Sequence, residues 1–277
     1  MVRKISTSYT DFRIGEYLME TFITNQRLAH MAGVSFDSES IMREKIIYSR
    51  THTIKKQFNK LSKFPNCVLI TSFSDASCTD ELADKLPSNV IKWFSNNVET
   101  NNPRIEGIPI GMIYSHDIEN DLREAIKNGR KSDTNLMYIN FTKKICRRVN
   151  PRLDLYEMFQ DEEWVTAIGG DYHISTKKFY DQVNSHPYVL SPPGAGPDCH
   201  RHWESLVLGS IPIVIQSPFT KLLNGLPVLQ VDSWEEVTQE RLEEELPELK
   251  KLFNTPRMKI CYFEYWKEKI LGEVNEK

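Results

Sequence analysis

Residues 188–215 read YVLSPPGAGPDCHRHWESLVLGSIPIVI. The opening YVLS and the later IPIVI are short apolar runs, as expected of strands covered on both faces. Between them, Pro192, Pro193, Gly194, Ala195, Gly196 and Pro197 can continue neither a strand nor a helix. Asp198 then stands where a helix N-cap belongs, and 199–208 has the pattern of the helix itself. Strand, loop, helix and strand in that succession make a βα unit feeding a parallel sheet.

The alternation extends outward from this stretch in both directions. Toward the C-terminus, 227–231 reads as a last strand, followed by helices over 235–253 and 259–271. Toward the N-terminus, strands fall at 164–168 and 136–141, with helices at 175–183 and 151–160. Residues 117–133 are charged and end in NGRK, the composition of a helix running into a linker. Before them the pattern starts afresh, with strands at 45–49, 67–73, 90–94 and 105–110 and helices at 53–61 and 79–86. In the first of these helices Ile54, Phe58 and Leu61 share one face. The reading is an α/β chain of two facing, doubly wound, Rossmann-like domains. They span 1–132 and 133–258, and a C-terminal helix in 259–277 returns to the first domain. In such sheets ligands gather at the carboxyl ends of the strands, here in the cleft between the halves.

The totals agree with a globular chain: of 277 residues, 40% are apolar and 26% charged. A net charge of −3 offers no basic field for nucleic acid or an anionic membrane, so an anionic ligand needs a local cluster of donors. No apolar run is long enough to span a bilayer, and no apolar stretch follows the N-terminal basic residues as a secretory signal requires. Five dispersed cysteines without a Cys-x-x-Cys pair support neither a zinc site nor a disulfide framework, so a reducing, cytoplasmic setting is expected.

The loop and helix of 192–204 carry the chemistry. A glycine-containing loop entering a helix N-terminus is an anion site, because unpaired N–H groups and the helix dipole both favour negative charge. Gly194, Gly196, Asp198, His200, Arg201 and Glu204 are the candidate binding residues. Arg201 and Glu204 are three apart and share a face, so a guanidinium can meet a diphosphate while a carboxylate one turn deeper accepts ribose hydroxyls. A solvent-exposed i, i+3 ion pair is the plain alternative, disfavoured by the proline–glycine loop before the helix and the apolar strand after it. His202 can cap or pack.

The run from Ser191 to Leu206, followed by GSIPIV, resembles the signature of the exostosin-like glycosyltransferases. That resemblance implies two facing Rossmann-like domains of the glycosyltransferase-B type, a nucleotide-sugar substrate, and no metal or other cofactor. It places Arg201 on the diphosphate and Glu204 on the ribose. Asn140-Phe141 and the basic residues through Arg152 resemble the family's second phosphate-binding stretch, with Arg147, Arg148 and Arg152 competing for the contact. LITSFSDASC and VIKWFSNN…IPIGM resemble the acceptor-side domain. Many retaining relatives carry a second glutamate where this chain has Pro212, which favours inversion. The likeness is greatest to small, signal-less members from chlorella viruses that build capsid glycans in the host cytoplasm; it implies UDP-xylose as donor and a fucose of an oligosaccharide or glycoprotein as acceptor.

Inversion needs one general base on the opposite domain. Asp75, just past the run at 67–73, is the first candidate, His52 the second and Asp37 the third; Asp75 as a turn-capping carboxylate is the competing reading. Trp93 is a candidate sugar platform or a core residue, and 169–173 (GGDYH) a candidate base-lining turn. Two other classes remain. One is a non-catalytic nucleotide- or carbohydrate-binding module on the same fold. The other, a dinucleotide oxidoreductase, is disfavoured because no strand is followed by Gly-x-Gly-x-x-Gly.

Overall fold

The computed structural model describes residues 21–31, 45–113, 115–129, 135–143, 152–168 and 174–275. Two parallel sheets organise these residues. The first contains β1 (Ile46–Arg50), β2 (Cys67–Ser72), β4 (Val90–Ser95) and β6 (Ile105–Gly107), in the order β1-β2-β4-β6. Side chains alternate across it, as strand geometry requires. Ile47, Leu69 and Trp93 pack with Ile54, Phe58 and Leu61 of α2 (Thr51–Leu61) on one face. Val68, Ile70 and Phe94 point into the larger core on the other. Trp93 meets Phe58 edge-on at 6.1 Å, and Phe94 meets Trp266 at 6.4 Å. Trp266 lies on α9 (Phe263–Asn275), so the C-terminal helix packs on the first sheet, and helices cover both faces.

The second sheet runs β11-β10-β9-β7-β8. Its members are β7 (Met137–Ile139), β8 (Val165–Ala167), β9 (Tyr188–Leu190), β10 (Ile211–Ile215) and β11 (Leu229–Val231). From β7 the chain passes to β8 at one edge, then returns to β9 on the opposite side of β7. The winding therefore reverses between β7 and β9, and the loops leaving their carboxyl ends diverge. A doubly wound sheet opens its ligand crevice at such a reversal. Among the helices of this half are α5 (Arg152–Phe159), α6 (Thr176–Ser185), α7 (His200–Val207) and α8 (Gln239–Lys251).

Three expectations need correction. The helix at 79–86 is one turn, α3 (Asp80–Ala83), because Cys78–Thr79 forms β3 and pairs with β5 (Val98–Glu99). The strand at 105–110 stops at Gly107. The boundary at 132/133 also moves. Helix α4 (His116–Asn128) packs on α6, where Asn184 Nδ2 donates to the carbonyls of Ala125 (2.9 Å) and Gly129 (2.8 Å). The changeover between halves thus falls before α4. Composition identified the charged stretch but not the surface it packs on.

Residues 108–113 make that crossing. The N-terminal segment braces them: Thr24 bridges Gly111, the Met112 N–H donates to the Ile23 carbonyl, and α1 (Asn25–Met31) follows. Gly111 has φ +71°, and a Cβ there would lie 2.1 Å from the Ile23 oxygen. Only glycine fits this approach.

Candidate functional site

A cavity of about 390 Å³ opens at the reversal between β7 and β9. Asn140 and Phe141, just past β7, form one wall. Phe179 and Tyr180 of α6 form a second, and Cys199, His200, Arg201 and Glu204 a third. Ile113 and Ile118 close it from the crossing segment and α4.

Arg201 is the most exceptional side chain in this wall. Among the described residues its Nη1 is buried without a hydrogen-bond partner. The guanidinium stands 5.5 Å from the centre of the Phe141 ring, and that of Arg152 stands 5.6 Å from the same ring. Arg152 is anchored: its Nε donates to the Pro193 carbonyl (3.0 Å) and its Nη1 to that of Thr142 (3.1 Å). Burial, reinforced by the charge of Arg201, draws Arg152 down to about 10. Two cations about one aromatic ring concentrate positive potential in a chain that is negative overall.

Glu204 is buried, and its Oε1 accepts a hydrogen bond from the Tyr180 hydroxyl at 3.0 Å. The Ile113 backbone, which also lines the cavity, favours its ionised form to a smaller degree. Burial raises its pKa against the opposing pull of His200, Tyr180 and Arg201. His200 Nδ1 lies 2.7 Å from the Gly111 carbonyl, which can only accept, so that nitrogen carries the proton.

Asp198 and the two glycines serve purposes other than ligand contact. The N-cap is Cys199, and the Asp198 side chain is fully buried outside the cavity wall. Its Oδ2 accepts from the Ile110 N–H (2.7 Å) and its Oδ1 from Trp203 Nε1 (2.8 Å). His202 Nδ1 lies 3.2 Å from that same Oδ1, and its Nε2 3.2 Å from the Ser191 carbonyl. Acceptors thus face both ring nitrogens, and the Cys199 backbone N–H also points at Nδ1, at 3.3 Å. Burial alone would lower the His202 pKa, and the Cys199 sulfur and Asp198 carboxylate more than reverse this, raising it to about 10. Conversely, burial pushes the Cys199 thiol up, and His202 and Arg201 outweigh that, bringing it to about 6. A Cβ on Gly196 would come within 2.9 Å of Asn97 Nδ2, and one on Gly194 within 3.4 Å of Arg152 Nη2. These glycines admit neighbouring side chains, and neither lines the cavity.

The remaining candidates divide by place. Asn140 lines the cavity and donates through Nδ2 to the Tyr138 hydroxyl (3.0 Å). Asp75 and His52 are exposed at the carboxyl edge of the first sheet, with His52 Nδ1 3.1 Å from Ser74 Oγ; neither lines the cavity. Trp93 is 0% exposed and donates to Thr71 Oγ1, so it is core. Arg147, Arg148, Asp37 and 169–173 lie outside the described residues. Sequence reasoning missed Tyr180, Ile113 and Asn97, whose parts depend on distant partners. Gly111 in IPIGM was the one local signal for the crossing. Among the described residues, no three His, Cys, Asp or Glu side chains converge to hold a metal, and no helix is long and apolar enough to cross a membrane.

No protein-family model matches the chain, and no curated protein matches it in sequence. Among solved structures, an α1,3-fucosyltransferase is similar at 13% identity and a TM-score of 0.44, over 83% of this chain and 77% of that one. The pneumococcal O-GlcNAc transferase GtfA, solved with UDP and GlcNAc, is similar at 12% identity and a TM-score of 0.38. That likeness covers 90% of this chain and 60% of GtfA's length.

Proposed function

We propose that this protein is a glycosyltransferase that moves a sugar from a nucleotide diphosphate donor to a hydroxyl of a glycan. One observation carries the reading: the unpartnered, buried Arg201 Nη1 stands at the start of α7, in a cavity at the reversal point of a doubly wound sheet. A buried donor on a cation is costly to leave unmade, and a diphosphate oxygen satisfies it. Glu204, one turn deeper, has one oxygen held by Tyr180 and offers its other to a ribose hydroxyl. As the sugar–oxygen bond breaks, negative charge grows on the leaving diphosphate, and Arg201 with the helix dipole stabilises it.

The finer terms of the proposal rest on the sequence resemblance. The donor is UDP-xylose and the acceptor a fucose. The reaction inverts, with one general base taking the acceptor proton; Asp75 is the first candidate and His52 the second. No metal is required. The test is transfer to methyl α-fucopyranoside in the presence of EDTA, across UDP- and GDP-sugars, with NMR of the anomeric proton in the product. Transfer with inverted configuration supports the whole proposal. A retained configuration removes the single-base mechanism, and absence of transfer from every donor removes the transferase reading.

A further inference from the structure

Among the described residues, two non-glycine residues have positive φ: Phe73 at +53° and Asn97 at +52°. They are neighbours in space by construction. The parallel register of β2 and β4 pairs Thr71 with Ser95, and each residue lies two positions beyond its strand's member of that pair. Left-handed backbone is tolerated by asparagine but is a genuine outlier for a bulky residue.

Local hydrogen bonds account for Asn97. Its Nδ2 donates to the Ser74 carbonyl (3.1 Å), and its Oδ1 accepts from the Asp198 N–H (3.0 Å). Nothing comparable accounts for Phe73, whose side chain is 41% exposed and has no ring contact among the described residues. Among the described residues the large exposed hydrophobics are Phe73, Ile113, Leu153, Met158 and Leu271, and Phe73 is the one aromatic of these. Its strained backbone keeps a phenyl ring in water at the carboxyl edge of a central strand. The next residues are Ser74, beside His52, and Asp75. Strain that the surroundings impose without a packing gain clusters at ligand sites.

We propose that Phe73 is the platform on which the acceptor's pyranose ring stacks, its C–H face against the phenyl ring and its reacting hydroxyl toward Asp75 and His52. This rests on the transferase reading and takes the platform role that the sequence offered to Trp93. The aromatic face suits a sugar because its π electrons attract the polarised C–H bonds of one side of the ring.

Saturation-transfer NMR with methyl α-fucopyranoside and methyl xylopyranosides, in the presence of UDP, tests it on the full chain. The wild type should transfer saturation to ring C–H protons, Phe73→Trp should preserve this, and Phe73→Ala should abolish it. In the transfer assay Phe73→Ala should raise the acceptor KM about tenfold with the donor KM unchanged. Phe73→Gly controls for folding: glycine adopts this φ without strain, so its melting temperature should equal or exceed that of the wild type while sugar binding is lost. No saturation of any pyranoside by the wild type, or undiminished saturation with Phe73→Ala, overturns the proposal. Pyranoside binding through Phe73 without sugar transfer upholds this inference and sinks the transferase reading; transfer with an unchanged acceptor KM in Phe73→Ala does the reverse.

Discussion

At the scale of single residues, the cavity wall holds groups that the fold alone would not choose. Glu204 is a buried carboxyl with a raised pKa, so its ionised form works against folding. The linkage has a definite sign. A carboxyl whose folded pKa lies above its unfolded value of about 4.3 contributes most below that value, and the contribution is lost as pH rises through the folded pKa. Glu204→Gln cannot undergo that loss. Its stability relative to the wild type should therefore improve as pH climbs from about 4.3 through the raised pKa, read by urea unfolding at successive pH values. The same variant should bind UDP roughly ten- to hundredfold more weakly, the worth of a charged hydrogen bond to ribose. A variant that matches wild type in both respects removes Glu204 from the site. That Arg201 and Glu204 face the same side was legible in the sequence, because helical spacing alone puts them on one face, and both line the cavity. The work of Asp198 was not, since its partners Ile110 and Asn97 are 88 and 101 positions away.

Among the elements, α7 is the one the rest of the site depends on, and its first turn and the residue before its N-cap are clamped to the crossing segment at two points. Ile110 N–H donates to Asp198, and His200 Nδ1 donates to the Gly111 carbonyl. Asp198→Ala would strand the Ile110 N–H, the Trp203 indole N–H and the His202 ring in a buried setting. Breaking one partner of a buried pair costs about 3–5 kcal/mol, which the urea midpoint will show. The His202 contribution in the wild type is fully present below about pH 6.5 and is lost as pH rises through about 10, because its folded pKa is raised. The advantage of wild type over Asp198→Ala should shrink across that window; an advantage that stays constant there would show His202 to be neutral throughout. The alternation of strands and helices was readable from apolar runs, since strands buried on both faces leave little ambiguity. The pairing of β3 with β5 was not: Cys78–Thr79 and Val98–Glu99 are too short to carry a pattern.

For the molecule as a whole, two parallel sheets meet through their carboxyl edges, and the chain crosses between them before α4 and again on the way to α9. The two-sheet plan could be read from the sequence; the place of the first crossing could not, because the packing of α4 on α6 leaves no compositional mark. The central claim is that the cavity at the second sheet's reversal point binds a nucleotide diphosphate through Arg201. Calorimetric titration of UDP into wild type and Arg201→Ala, both in EDTA, tests it most directly. The account predicts one saturable site in the wild type and at least about a tenfold loss of affinity in Arg201→Ala. Absence of binding to the wild type, or equal affinity in Arg201→Ala, would contradict it.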